Sequence, residues 1–149
     1  MRAVVQRVRS ARIRVGPETV SEMGAGLLAL VGVKRGDGLE TARDLARKLV
    51  HLRVLADDAG RMNRSLLDAG GTLGVVSQFT LYGDARKGRR PAFVDAAPGE
   101  EAEPLVQALA DAARALGVTV ITGRFGATMD VELVNAGPVT LLLDSERAF

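Results

Sequence analysis

Leu27-Leu28-Ala29-Leu30-Val31-Gly32-Val33 is an unbroken apolar run, bounded by Gly24-Ala25-Gly26 before it and Gly36-Asp37-Gly38 after it. A strand exposed on one face alternates apolar with polar residues, so a run that is apolar throughout reads as a central strand. The next segment changes period. Ala42, Leu45, Ala46, Leu49 and Leu52 fall on one face at helical spacing, which predicts a helix over residues 39–52. Residues 54–56 read as a short strand, and Asp57-Asp58-Ala59-Gly60 as a turn.

Outward from this unit, residues 2–15 alternate and predict one or two half-buried strands. Gly16-Pro17 marks a turn before a short strand over 19–23. Residues 61–71 look irregular, and 72–76 form a buried strand leading into Ser77. A basic loop over 83–91 precedes a second helix over 98–116, with Leu105, Leu109, Ala112, Ala113 and Leu116 as its apolar stripe. Pro98 suits a first turn, whereas Pro104 should mark the true start or kink the helix. Gly117 is placed to cap its C-terminus. Strands over 118–121, 131–134 and 139–143 complete the chain. No linker or low-complexity stretch interrupts it. The order predicts one α/β domain over residues 1–149, compact, with two helices packed on mixed or antiparallel β-sheet layers.

A chain of 149 residues buries roughly 68–70% of its unfolded surface, enough for a real core. With 47% hydrophobic but only 3% aromatic residues, that core is aliphatic, and a stacking platform for single-stranded nucleic acid is not expected. There is no cysteine, which excludes disulfides, thiolate nucleophiles and cysteine-held metals. That fits a reducing, cytoplasmic location. No apolar run approaches the ~20 residues of a membrane span. The opening Met1-Arg2-Ala3-Val4-Val5-Gln6-Arg7 lacks the apolar block of a signal peptide. Net charge is only +2, but Arg2, Arg7, Arg9, Arg12 and Arg14 cluster, as do Arg86, Lys87, Arg89 and Arg90. Both clusters suit phosphates, although ordinary solvated charge is the preferred reading from charge alone.

Chemistry is constrained by elimination. His51 is the sole histidine, near a helix end, so no Ser-His-Asp arrangement can be assembled and a zinc site would rest on carboxylates. Gly70-Gly71-Thr72-Leu73-Gly74 precedes a strand rather than opening a helix, so it is a turn and not a phosphate cradle. Two segments remain. Ser77-Gln78-Phe79-Thr80-Leu81 puts small polar residues where an apolar strand should continue. They either satisfy neighbouring backbone or present the N–H groups of Gln78, Phe79 and Thr80 to a developing oxyanion, each such donor worth ~3–4 kcal/mol. Thr80 as nucleophile would need a base, and none is apparent. Asn135-Ala136-Gly137-Pro138-Val139-Thr140 interrupts two good strand segments, as a hairpin turn or as a built loop.

At these residues the chain resembles the D-aminoacyl-tRNA deacylases of the bacterial and eukaryotic type. The likeness runs from Ala3-Val4-Val5-Gln6-Arg7-Val8 through Gly24-Ala25-Gly26-Leu27-Leu28, Met62-Asn63 and Ser77-Gln78-Phe79-Thr80-Leu81. It continues through Arg90-Pro91-Ala92-Phe93 and Gly123-Arg124-Phe125-Gly126-Ala127 to Asn135-Ala136-Gly137-Pro138-Val139-Thr140. It implies a homodimer with active sites at the subunit interface. Ser77, Gln78, Phe79 and Thr80 of one subunit would line the catalytic pocket. Gly137 and Pro138 of the other would enter it with their peptide bond cis, held by Arg7, and Met129 would belong to the same selection set. The implied substrate is aminoacyl-tRNA carrying a D-amino acid or glycine as an ester, with L substrates rejected. The implied catalysis rests on backbone donors and the terminal ribose hydroxyl, without cofactor or metal. Two rival readings stand beside it: a non-catalytic tRNA-binding module, and a hydrolase of small D-amino-acid esters.

Overall fold

The computed structural model describes residues 1–149. The strands are β1 (Arg2–Val15), β2 (Glu18–Met23), β3 (Gly26–Gly32), β4 (Leu55–Ala56), β5 (Met62–Arg64), β6 (Thr72–Ser77), β7 (Thr119–Thr122) and β8 (Asp130–Asp144). The helices are α1 (Leu39–His51), α2 (Leu66–Ala69) and α3 (Gly99–Ala115), and a 3-10 turn spans Phe79–Tyr82.

β1 is the organising strand. It pairs antiparallel with β3 through its first half, with β2 through its second half, and with β8 along its opposite edge. β3 then pairs parallel with β6, and β6 parallel with β7. The parallel pairs require crossovers, which α1 and α3 supply. β4 and β5 make a separate small ribbon.

Residues 2–15, expected as one or two strands, form one strand of 14 residues whose facing changes midway. Ala3 and Val5 point into the main core beneath the helices, whereas Val8, Ala11 and Ile13 enter a second cluster with Met23, Leu28 and Val76. Strict alternation cannot place residues 8, 11 and 13 on one face. The register against β8 slips between Val8 and Ser10, so the strand gains one residue there and the phase inverts.

Leu27, Leu28 and Ala29 are fully buried, as a central strand requires. The predicted stripe of α1 is buried at Ala42, Leu45, Ala46 and Leu49, and it packs with α3 in the main core. α3 runs unbroken from Gly99, so Pro104 neither starts it nor ends it. The proline is exposed, and the carbonyl it leaves without an N–H partner lies on the wet face. Gly117 follows the helix with φ 101° and donates to the Arg114 carbonyl at 2.9 Å.

Three expectations change. Residues 61–71 are not irregular but hold β5 and α2, so there are three helices rather than two. α2 is a single turn nucleated by a reciprocal cap: Ser65 Oγ accepts from the Asp68 N–H, and Asp68 Oδ2 accepts from the Ser65 N–H. The two strands expected over 131–134 and 139–143 are one strand, β8, which continues past Gly137-Pro138 because both flanks pair with β1.

The β3–β6 pair leaves no room at its first rung. A Cβ on Gly26 would lie 1.9 Å from the Thr72 carbonyl oxygen, a backbone atom. Gly26→Ala is therefore expected to cost about 3 kcal/mol, the upper end for overpacking. Urea denaturation reads this directly, and an unchanged midpoint would show that the strands can part at that rung.

Candidate active site

The Gly137-Pro138 loop is a consequence of register. Gln6 pairs with Thr140 and Val8 with Asn135, so Arg7 alone faces four residues of β8. The extra residues must leave the sheet, and they do so as Ala136-Gly137-Pro138-Val139. Gln6 closes the neck: its Oε1 accepts from Asn135 Nδ2 at 2.8 Å and from Thr140 Oγ1 at 2.6 Å. Arg7 holds the inside. Its Nε donates to the Ala136 carbonyl at 2.9 Å and its Nη1 to the Val54 carbonyl at 2.8 Å. One guanidinium thus joins the loop to the chain leaving α1. Gly137 has φ 128°, its peptide bond to Pro138 is cis, and both residues are exposed.

The second segment leaves β6 and tightens into the 3-10 turn. The first N–H groups of such a turn have no partner within it. The N–H of Leu81 bonds the Gln78 carbonyl, and that of Gly83 bonds the Thr80 carbonyl. Phe79 and Thr80 donate to nothing, and both residues are exposed. Gln78 departs from expectation. Its N–H donates to the Val31 carbonyl at 2.7 Å, so the sheet has already taken it and two adjacent donors remain instead of three. The Gln78 side-chain amide bonds Thr80 Oγ1. Ser77 closes β6 opposite Val31. No acid or imidazole bonds the Thr80 hydroxyl; His51 lies on the exposed end of α1, its Nδ1 2.8 Å from the Arg47 carbonyl oxygen.

The turn is braced on both sides. Arg2 Nη1 donates to the Leu81 carbonyl at 3.1 Å and Nε to Asp144 at 3.2 Å, with the guanidinium 4.6 Å from the Tyr82 ring centre. Tyr82 is buried beneath, and its phenol is held well above its ordinary pKa, first by burial and then by the carboxylates of Asp37 and Asp144. Phe79 packs edge-on against Phe93, ring centres 5.0 Å apart.

Within one chain the two segments stay apart. The sheet order puts β1 and β3 between β8 and β6, three strand spacings or about 14 Å. Met129 is also distant from the loop: about seven residues of strand, roughly 20 Å, separate it from Ala136. It packs instead beside the second core cluster, which includes Val76, and against Gly123. A groove of about 1310 Å³ lies elsewhere, between α1 and the end of β8, and of the sequence candidates only His51 lines it. It is open and lined by charged and apolar residues in mixture, without the convergent backbone donors of the 3-10 turn.

Of the N-terminal arginines, Arg2, Arg12 and Arg14 are paired with Asp144, Glu22 and Glu132. Arg7 is engaged by two carbonyls. Sequence reasoning missed Gln6 and Arg2 as braces and the Val54 carbonyl as an acceptor. Gln6 carried a signal, an amide at a half-buried position of an otherwise aliphatic strand; a main-chain carbonyl carries none.

A family model described as D-Tyr-tRNA(Tyr) deacylase matches residues 4–144. Proteins named D-aminoacyl-tRNA deacylase are similar over 97% of this chain and 94% of their own. Those of Thermomicrobium roseum and Roseiflexus sp. (strain RS-1) are 60% and 61% identical. A solved structure named c-Myc DNA Unwinding Element Binding Protein superposes with a TM-score of 0.92 at 37% identity, covering 97% of this chain and 98% of that one.

A Cβ on Gly137 would lie 2.8 Å from Arg7 Nη2 at a backbone angle that side chains rarely adopt. Gly137→Ala is expected to cost about 1–3 kcal/mol. Part of that cost acts through Arg7, so a cycle with Arg7→Ala should show a coupling of about 0.5 kcal/mol or more. Strict additivity in chemical denaturation would show that the two residues do not touch.

Proposed function

The chain belongs to the D-Tyr-tRNA(Tyr) deacylase family, and from that premise we propose that it hydrolyses the ester bond of D-aminoacyl-tRNA, releasing free D-amino acid and tRNA. Glycyl-tRNA, mischarged on a non-cognate tRNA, is a second substrate. The observation that carries the reading is the pair of unpartnered N–H groups at Phe79 and Thr80, on an exposed turn that offers no side-chain base.

In this mechanism water attacks the ester carbonyl carbon. Negative charge collects on the carbonyl oxygen, where the two N–H groups receive it; losing one such donor typically costs ~2.7–4 kcal/mol of transition-state stabilisation. The terminal ribose hydroxyl of the tRNA orients the water. The bond to the ribose oxygen then breaks, and the proton lost by water ends on that oxygen. An aminoacyl ester is activated enough to need no protein nucleophile.

Selection falls to Gly137 and Pro138. Attraction alone separates substrates that differ by a small group by only ~1–3 kcal/mol. A fixed obstacle adds a clash against the wrong hand. The loop is suited to be one, because Arg7 and Gln6 hold it at three points. Its main-chain carbonyls receive the substrate ammonium, and an L side chain meets the loop. Glycine has no side chain to reject and passes. Met129, beside the second core cluster and about 20 Å along the strand from the loop of its own chain, would join this set only from the subunit that supplies the turn.

We assign the working unit as a homodimer of 1–149 deacylase domains, with the loop of one subunit completing the turn of the other. The separation of about 14 Å within one chain supports this. So does the free edge of β8, a long strand with Leu133, Val134 and Leu142 exposed, the kind of edge that otherwise pairs adventitiously. A substrate of this kind places the protein in the cytoplasm; no helix is long and apolar enough to cross a membrane.

The structure named for DNA binding favours one rival, a nucleic-acid-binding module without catalysis. Deacylation of D-Tyr-tRNA, L-Tyr-tRNA and Gly-tRNA separates the two. Hydrolysis of the D and glycyl esters with the L ester spared is expected; tRNA binding without cleavage would support the module instead. Hydrolysis of free D-tyrosine esters as efficiently as the tRNA ester would support the small-ester hydrolase. Thr80→Ala should keep activity within about tenfold, ~1.4 kcal/mol of barrier. Abolished turnover with folding and tRNA binding intact would make the Thr80 hydroxyl the nucleophile.

A further inference from the structure

The two basic clusters of the sequence have different fates. Those on β1 are largely consumed by ion pairs and carbonyls within the sheet, and Arg9 alone remains exposed and unpaired. The second cluster lies in a hairpin. The N–H of Asp84 donates to the Ala92 carbonyl at 2.7 Å, and the N–H of Ala92 to the Asp84 carbonyl at 2.9 Å. Between them the chain turns at Gly88, φ 108°, with open space where a Cβ would point. Arg86 is neutralised inside this hairpin: Nε and Nη2 both reach the Asp84 carboxylate, at 2.9 and 2.7 Å. That fork holds Asp84 ionised down to pH values near its pKa of about 2. The Arg86–Asp84 pair is the only ion pair in the loop; Lys87, Arg89 and Arg90 have none and are exposed.

Position gives these three cations a use. The hairpin opens two residues after the 3-10 turn, and its far strand returns through Phe93, which packs on Phe79. The base of the hairpin is therefore tied to the turn that carries the free N–H groups. Its tip, three to four residues further out, extends by roughly 10–13 Å. A polymer whose last residue lies at Phe79 and Thr80 must lead its backbone away past the loop, and phosphates are what unpaired Lys and Arg neutralise.

We propose that the 84–92 hairpin is the docking surface for the phosphate backbone of the aminoacylated end of tRNA, with Lys87, Arg89 and Arg90 neutralising phosphates. This rests on the deacylase reading of the same site. Asp84 and Arg86 fix the hairpin, and the three free cations position the substrate without touching the ester. Their contribution is to affinity and not to the chemical step.

The test is the triple variant Lys87→Gln/Arg89→Gln/Arg90→Gln, with Arg9→Gln as the control for a cation outside the hairpin. D-Tyr-tRNA and D-tyrosyl-adenosine, which bears the ester but no phosphate, are assayed across a salt series. The triple variant should lose tenfold or more in kcat/KM on D-Tyr-tRNA with kcat retained, and cleave D-tyrosyl-adenosine like the parent. The slope of log binding constant against log salt for uncharged tRNA should fall by about 2–3, near one for each phosphate no longer neutralised. Arg9→Gln should leave both unchanged. An unaltered slope in the triple variant overturns the proposal, as does an equal loss on both substrates, which would indicate damage to the turn. If the parent cleaves neither ester, the deacylase reading fails, and the binding slope still decides whether the hairpin holds RNA.

Discussion

One mismatch in register governs the rest: between its pairings with β8 at Gln6 and at Val8, β1 offers a single residue, Arg7, against four of its neighbour. Every backbone group of a sheet needs a partner, and three residues in excess cannot be absorbed in the ladder. Residues 136–139 are expelled together, and the arginine facing the gap gives the Ala136 carbonyl a donor that the sheet withholds. Gln6 fastens the two ends of the expelled segment, so the loop is short, fixed and dictated by strand pairing rather than by its own residues. Arg7 also reaches the Val54 carbonyl, so loop position is tied to the end of α1 and through it to the core.

The same logic governs the 3-10 turn. β6 ends by giving the Gln78 N–H to Val31, and the tightening that follows leaves the next two donors free. Neither the loop, Ala136–Val139, nor the turn, Phe79–Tyr82, contains an acidic, basic or thiol side chain. Charged residues are used as braces: Arg2 under the turn, Arg7 inside the loop, Arg86 across the hairpin base. A site of this kind is robust to substitution of its side chains and sensitive to anything that moves strands.

Much of the fold was legible because periodicity reports burial. β3 and α1 follow their apolar patterns; α3 does so at Leu105, Leu109 and Ala113 but leaves Leu116 exposed and buries Ala102 and Ala110 instead, and Gly117 ends α3 as glycine past a helix should. What was not legible depends on pairing between distant segments. Gly-Pro reads locally as a break, and only β1 reveals that β8 continues beyond it. The phase inversion in β1 likewise needs its partner. α2 was readable and missed: Ser65 and Asp68 form a capping box three residues apart, with a serine and an aspartate at the two required positions. At the site, the segments could be picked out as poor packing choices, but the loss of the Gln78 N–H and the role of Val54 are main-chain facts with no sequence trace.

The most direct test of a backbone-built site is a crystal structure with a non-hydrolysable amide analogue, 3′-(D-tyrosylamino)-3′-deoxyadenosine. The amide carbonyl oxygen is expected within hydrogen-bond reach, about 2.7–3.1 Å, of the Phe79 and Thr80 N–H groups. The ammonium is expected against Gly137 and Pro138 of a second subunit. An analogue bound in the groove between α1 and the end of β8, or one whose carbonyl faces other donors, would contradict this.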